Sequence, residues 1–414
     1  MRILEAPLNI AAQPWNIAQG LRSLGHDVEV WQYGPNPFDY PCDRQIKFPP
    51  DRPSDLWAPI DEALERFDVF HFHFARTLVP RQIGPIPGMW DLPLYRAAGK
   101  PIFFTFHGSD VRLRSKHLDL NRWSYFRYAD VPCDEDDILK RLAIVRTYAN
   151  AHWICSPVNR PFVPDAGFHP RAILVEQWPF VDPVRRDRPR VVHIPSRRAT
   201  KGTDFVLRGV VEAEEKGLRF DFKLIEGLPN AEVPRVMAEA DILVDNLLLG
   251  DYEVTGLEAM SMGKTVIARI DPEVEREMGT VPVLNADPDH FVEVLRRAVE
   301  DFELRDRLAK EGRAFVEANH DATAVAARIL PTFLQPPTTI ELSFPDWAVL
   351  HDARRAERLE EQVVALRGAL RTGGREVVIS GSKRGVFTLL GSKIDGFLRR
   401  VRRSIRRRRA KPSR

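Results

Sequence analysis

The sequence predicts an α/β protein built as two similar doubly wound halves, and three stretches carry that prediction. At the N-terminus, Arg2–Glu5, Trp15–Leu24 and Asp27–Trp31 read as strand, helix and strand, the opening of a Rossmann-like unit. After a charged, proline-containing linker at Asp182–Arg190 (DPVRRDRPR), the pattern restarts with a strand at Val191–Pro195, a basic loop and a helix at Thr203–Lys216. Ala240–Ile270 (ADILVDNLLLGDYEVTGLEAMSMGKTVIARI) then reads as strand, loop, helix and strand. Its helix takes Thr255 as N-cap and Gly263 as the C′ glycine.

Composition agrees with a soluble, well-cored chain. Of 414 residues, 44% are apolar and 29% charged, which suits roughly two to three domains. The expected division is 1–183, 188–336 and a helical, basic tail at 337–414. The cysteines, Cys42, Cys133 and Cys155, are scattered and odd in number, so they suggest no disulfide framework and a reduced, cytoplasmic setting. Met1–Ala6 runs straight into a strand without a signal-peptide pattern, and no apolar run reaches the roughly 20 residues of a spanning helix. The net charge is +3, yet Phe397–Arg414 alone holds ten Lys and Arg and no acid. The body is therefore mildly acidic, which argues against nucleic acid as its partner.

In chain order, Leu8–Pro14 (LNIAAQP) is the loop after the first strand. It has no G-x-G-x-x-G, so a nicotinamide or flavin site is not indicated. Ala11 and Ala12 are small enough to let a ligand approach the backbone, or simply to pack helix against strand. Ala58–Arg66 reads as a helix. Asp68–Phe74 (DVFHFHF) alternates strictly, with Phe70, Phe72 and Phe74 on one face and Val69, His71 and His73 on the other. Two histidines at i and i+2 lack a third ligand nearby in sequence, so they read as hydrogen-bonded structure rather than a metal site. Pro101–Phe106 is a buried strand leading into His107-Gly108, at the strand end where such sheets place ligand-facing groups; a structural turn fits equally. Asp134–Ala149 reads as a helix, and His152–Ser156 and Ala172–Val175 as strands.

In the second half, Ser196–Gly202 (SRRATKG) is a basic strand-to-helix loop, an arrangement suited to phosphate. Phe220–Ile225 reads as a strand and Ala231–Glu239 as a helix. Glu258 falls in the first helical turn of the 240–270 stretch. It reads either as a ligand for sugar or ribose hydroxyls or as the capping-box partner of Thr255. Val281–Leu284 is a last strand, followed by helices at Pro288–Asp301, Glu303–Asn319 and Ala322–Leu330.

Over roughly residues 1–335 the chain resembles the GT-B glycosyltransferases of the retaining family-4 type, in which two Rossmann-like domains face a cleft. Ser196–Gly202 looks like that family's basic loop ending in Lys-Gly. Glu258-Ala259-Met260-Ser261-Met262-Gly263-Lys264 resembles its Glu-Ala-Met-x-x-Gly-Lys-Pro-Val motif, with Thr265 in place of Pro. His107-Gly108-x-Asp110 resembles its N-terminal His segment. Asp68-Val69-x-His71-x-His73 and Trp178-Pro179-x-Val181-Asp182 are weaker echoes. The resemblance implies that Lys201, with Arg198 or Arg197, holds a donor pyrophosphate beside Ser196. It implies that Glu258 binds the nucleotide ribose, that the N–H groups of Val254, Thr255 and Gly256 face the phosphates, and that His107 stands between donor sugar and acceptor. Ala11, Ala12, Gln13 and His73 fall on the acceptor side. The family's Glu-x7-Glu places its first Glu at Gly250, with Asp251 offset by one, and its loop Arg falls at Ser196. The resemblance implies chemistry that needs no metal and no cofactor, with a UDP- or GDP-linked sugar as co-substrate and a glycan or lipid-linked acceptor.

Within Trp347–Arg371, Leu359, Val363, Leu366 and Leu370 follow 4-3-4 spacing, too short to assert a coiled coil. In Phe397–Arg414 an apolar face among arginines suits an anionic membrane surface, and hence a peripheral location at the inner face of the membrane; a disordered basic tail, or one that meets nucleic acid, fits equally. Two other readings share this sequence: a GT-B sugar-nucleotide epimerase, and a transferase-like scaffold without catalysis.

Overall fold

The protein is described here by a computed structural model covering residues 1–35, 39–51, 53–83 and 88–335. The expected helix at Trp347–Arg371 and the basic segment Phe397–Arg414 lie outside the described residues.

Seven strands form the first sheet: β1 (Arg2–Ala6), β2 (Asp27–Tyr33), β3 (Arg44–Ile46), β4 (Val69–His73), β5 (Ile102–Phe106), β6 (Ala151–Ile154) and β7 (Gly167–Phe168). They are parallel throughout, in the order β3-β2-β1-β4-β5-β6-β7. The central strands β4 and β5 are buried along their whole length, as a sheet covered on both faces requires. The second sheet comprises β8 (Arg190–His193), β9 (Asp221–Leu224), β10 (Ile242–Asn246), β11 (Thr265–Ala268) and β12 (Leu284–Asn285), in the order β12-β11-β10-β8-β9 and again parallel. Each sheet has a point where the strand order reverses, between β1 and β4 in the first and between β8 and β10 in the second. Loops leaving the carboxyl ends of neighbouring strands part at such a point and open a crevice.

Several expectations shift. Ala172–Val175 is not a strand; β7 takes its place at the sheet edge. The side chains of Gln13 and Asn16 supply the hydrogen bonds to the Ala172 backbone, so Ala172 needs no ladder partner, and only Ile173 forms a single bridge, to Asp321. The last strand begins at Leu284 because Val281–Val283 closes a tight turn. Phe74 leaves the β4 alternation: its φ of 59° turns the chain at the strand end.

The helix Ala322–Phe333 returns to the first sheet and lies on the helix Gln13–Ser23, where a Cβ on Gly20 would sit 2.0 Å from the Ala322 carbonyl oxygen. Val325, Ile329 and Phe333 are buried there with Ile3, Ile17, Leu21, Val69 and Phe103. Burying these three side chains contributes roughly 5–9 kcal/mol against full exposure. The two halves also meet at Tyr125, Val131, Leu248 and Leu249, which form one apolar cluster.

Candidate functional site

A cavity of about 240 Å³ lies between the two sheets. Ser196 and Lys201, after β8, line it together with Glu253, Val254, Thr255 and Glu258, after β10. These are the loops on either side of the reversal point of the second sheet. Across the cleft, the first half contributes Ala11 and Tyr40.

The helix after β10 spans Val254–Ser261, two residues earlier at its start than the sequence suggests, and ends before Gly263. Its N-cap is Glu253, without a side-chain cap. Asp245 Oδ2 accepts the Glu253 N–H at 2.7 Å instead. The capping box of Thr255 and Glu258 therefore does not form, and Glu258 is left facing the cavity. The first N–H groups of a helix have no partner within it, so Val254, Thr255 and Gly256 present a small positive pole to the same space. Gly256 allows the close approach: a Cβ there would stand 3.1 Å from Asp245 Oδ2.

Lys201 is buried at the end of a single helical turn, Arg198–Lys201, which replaces the expected loop. Its ammonium lies 2.6 Å from Asp245 Oδ1, which takes one of its three donor positions. Glu258 is pushed up to about 8 by burial and then by the charge of Asp245, with Lys201 opposing. Tyr40 is pushed up to about 12 by burial and by Glu258, so the two side chains feel each other across the cleft.

Other expected site residues lie elsewhere. Arg198 is exposed and pairs with Glu226 at 2.8 Å, and Arg197 is exposed. Asp251 does not reach the cavity: Arg171 donates to it at 2.8 Å, and the Ser156 hydroxyl also donates to it. This buried pair ties the loop after β10 to the first half. At Gly250 the φ of 86° favours glycine, and a Cβ would come within 2.8 Å of the Arg269 guanidinium, so this position offers no carboxylate. Ala11 and Ala12 take left-handed φ values of 52° and 53°, unusual for residues bearing a Cβ. They bring the chain to the cavity wall at Ala11. Gln13 points away and is spent on Ala172 and Ala11.

His107 stands at the end of β5, partly exposed, with the Phe74 ring stacked on it at 4.0 Å. Its Nε2 lies 3.0 Å from Nδ1 of His73, which is fully buried, and neither ring is among the residues that line the cavity. The third group missing from the sequence reading of His71 and His73 is Glu5, brought across from β1. Its oxygens lie 2.6 Å from His73 Nε2 and 3.0 Å from His71 Nδ1. These are hydrogen bonds; tetrahedral zinc ligands, with bonds of about 2.0–2.2 Å, stand roughly 3.3 Å apart.

Asp245, Tyr40, Glu5 and Arg171 are the residues that sequence reasoning missed. A carboxylate at a strand's carboxyl end was a usable signal for Asp245 and Glu5. Tyr40 sits in a loop without a motif, and its place is set by the domains meeting.

Residues 180–331 match a family model described as glycosyl transferase-like. A search of curated proteins gives no match. The sucrose-phosphate synthase of Thermosynechococcus elongatus superposes with a TM-score of 0.54 at 14% identity, over 80% of this chain and 98% of that one. A glycosyltransferase from Rickettsia africae gives 0.53 at 13%, over 80% and 97%. The catalytic domain of starch synthase IV from Arabidopsis thaliana, bound to ADP and acarbose, gives 0.52 at 13%, over 80% and 98%. At these identities the likeness concerns the fold: two parallel-sheet domains facing a cleft.

Proposed function

We propose that this chain, whose residues 180–331 match a glycosyl transferase-like family model within a fold like that of the sucrose-phosphate synthase, is a GT-B glycosyltransferase that moves a sugar from a UDP- or GDP-linked donor to a glycan or lipid-linked acceptor, with retention and without a metal. The observation that carries the reading is the convergence of Lys201, the helix start at Val254 and Glu258 on one cavity. The starch synthase structure, bound to ADP and acarbose, supports a nucleotide as occupant.

Each group has a task in this reading. Glu258 accepts hydrogen bonds from the ribose hydroxyls. The diphosphate lies between the Lys201 ammonium and the N–H groups of Val254–Gly256. As the sugar departs, negative charge grows on the β-phosphate, and donors already fixed in place stabilise it without reorganising. Asp245 holds Lys201 in that position at 2.6 Å. Tyr40 closes the cavity from the opposite half.

The test is a transfer assay with UDP- and GDP-sugars and mixed glycan acceptors, following nucleoside diphosphate release with and without acceptor. Acceptor-dependent release is expected, and Lys201→Ala should lower it about 100- to 1,000-fold, the effect of removing one fixed donor to a developing anion. Release of nucleotide with an altered sugar in the absence of acceptor would point to an epimerase. Full activity in the doubly substituted Arg198→Ala, Lys201→Ala protein would overturn the proposal.

A further inference from the structure

Behind His107 the first sheet contains a run of seven buried or part-buried hydrogen bonds that the nucleotide cavity does not use. It passes from the Pro170 carbonyl through His169, Thr105, His71, Glu5, His73 and His107 to Cys155.

The end at Pro170 sets its direction. A carbonyl only accepts, so His169 donates from Nδ1. A neutral imidazole carries one N–H, so His169 Nε2 accepts the hydroxyl proton of Thr105 at 2.8 Å. Thr105 Oγ1 in turn accepts from His71 Nε2 at 2.8 Å, which leaves His71 Nδ1 as an acceptor facing Glu5. Glu5 therefore carries a proton and donates it to His71 Nδ1, which lies 3.0 Å from Oε1 and 2.9 Å from Oε2. Oε2 accepts from His73 Nε2 at 2.6 Å, which leaves the proton on Oε1. His73 Nδ1 then accepts from His107 Nε2 at 3.0 Å. His107 Nδ1 remains as the acceptor, and among the described residues it faces the weak thiol donor of Cys155 at 3.4 Å.

Burial pushes each titratable group in this run toward its neutral form. Burial lowers His71 to about 3, and His73 and His169 to about 4. It holds His107 well below the usual imidazole range and raises Glu5 to about 7. The cations that face the run are Arg22 toward Glu5, Arg171 toward His107 and Arg328 toward His169. The Phe333 ring packs on His71 and keeps water from its end of the run.

We infer that Glu5, His73 and the groups behind them are positioning residues for His107: the run anchored at the Pro170 carbonyl holds that imidazole as its Nε2–H tautomer and reserves Nδ1 to accept a hydrogen bond from a hydroxyl at the cleft. This rests on the reading of residue 107 as facing the acceptor. An acceptor hydroxyl would displace the Cys155 thiol at little cost, since a thiol is a weak donor, and its oxygen would be oriented by a neutral ring.

The experiment is nitrogen NMR of the full-length protein labelled at histidine, without substrate, with His107 assigned by its loss in His107→Gln. The expected result is an Nε2–H tautomer for His107 that persists unchanged in Glu5→Gln. Glutamine mimics a protonated glutamate: its amide group donates to His71 and its carbonyl accepts from His73. Transfer activity in Glu5→Gln should stay within twofold of the parent, while Glu5→Leu should mix the His107 tautomers. An Nδ1–H or doubly protonated His107 in the parent protein overturns the inference. So does a stoichiometric metal ion in the purified protein that Glu5→Gln loses. Because the tautomer is read without substrate, an intact Nε2–H signal in a protein without transfer activity would count against the transferase reading alone.

Discussion

Glu258 is the residue whose chemistry is most specific. Burial and the neighbouring Asp245 charge raise it to about 8, so at pH 7, before nucleotide binds, it is mostly protonated. Two ribose hydroxyls donating to it favour the ionised form and lower its pKa. Nucleotide binding at pH 7 should therefore release about one proton. Calorimetry in buffers of different ionisation enthalpy would show this as a buffer-dependent heat, which vanishes in Glu258→Gln and above about pH 9. Uptake of a proton, or none exchanged, would show that Glu258 does not receive the ribose. The place of Glu258 at a helix start beside the basic loop was legible in sequence because the motif around it resembles a family pattern. Its neighbour Asp245 was not, since an aspartate closing an apolar run looks like a simple strand end until the Lys201 ammonium is seen 2.6 Å away. Asp251 shows the converse. The resemblance put it one residue from the first Glu of the family's Glu-x7-Glu, but Arg171, 80 residues away in the chain, holds it in the interior.

The strands and helices of the second half were legible because each alternates cleanly with loops carrying turn and cap chemistry. Boundaries moved where tertiary partners replaced local ones. The helix at Val254 starts early because Asp245 caps it from a neighbouring strand. Ala172–Val175 looks like a strand by composition, yet side chains from Gln13–Ser23 satisfy the Ala172 backbone. The return of Ala322–Phe333 to the first sheet could not be read from its amphipathic pattern, which says only that one face is buried. It has a measurable consequence. Phe333 packs on Phe103 at 4.6 Å and on His71 at 5.4 Å. Phe333→Ala should lower stability by about 3–5 kcal/mol and open the buried histidines to solvent. Denaturant unfolding, with exchange at the His71 ring, would measure both; a loss under about 1 kcal/mol would mean that this helix does not complete the first half.

In the whole molecule, two sheets place their reversal points toward one cleft, and the buried Arg171–Asp251 pair, 2.8 Å apart, pins one half to the other beside it. Both crevices are thereby joined into one cavity lined from either side, by Ala11 and Tyr40 opposite Lys201 and Glu258. Whether this cavity takes a nucleotide is read most directly by calorimetric titration of the full-length protein with UDP, GDP and ADP, repeated on Glu258→Ala. One-to-one binding of one of the three is expected, weakened at least about 30-fold by the substitution, as loss of hydrogen bonds to a charged group requires. No binding by any of the three, or equal affinity in Glu258→Ala, would contradict it.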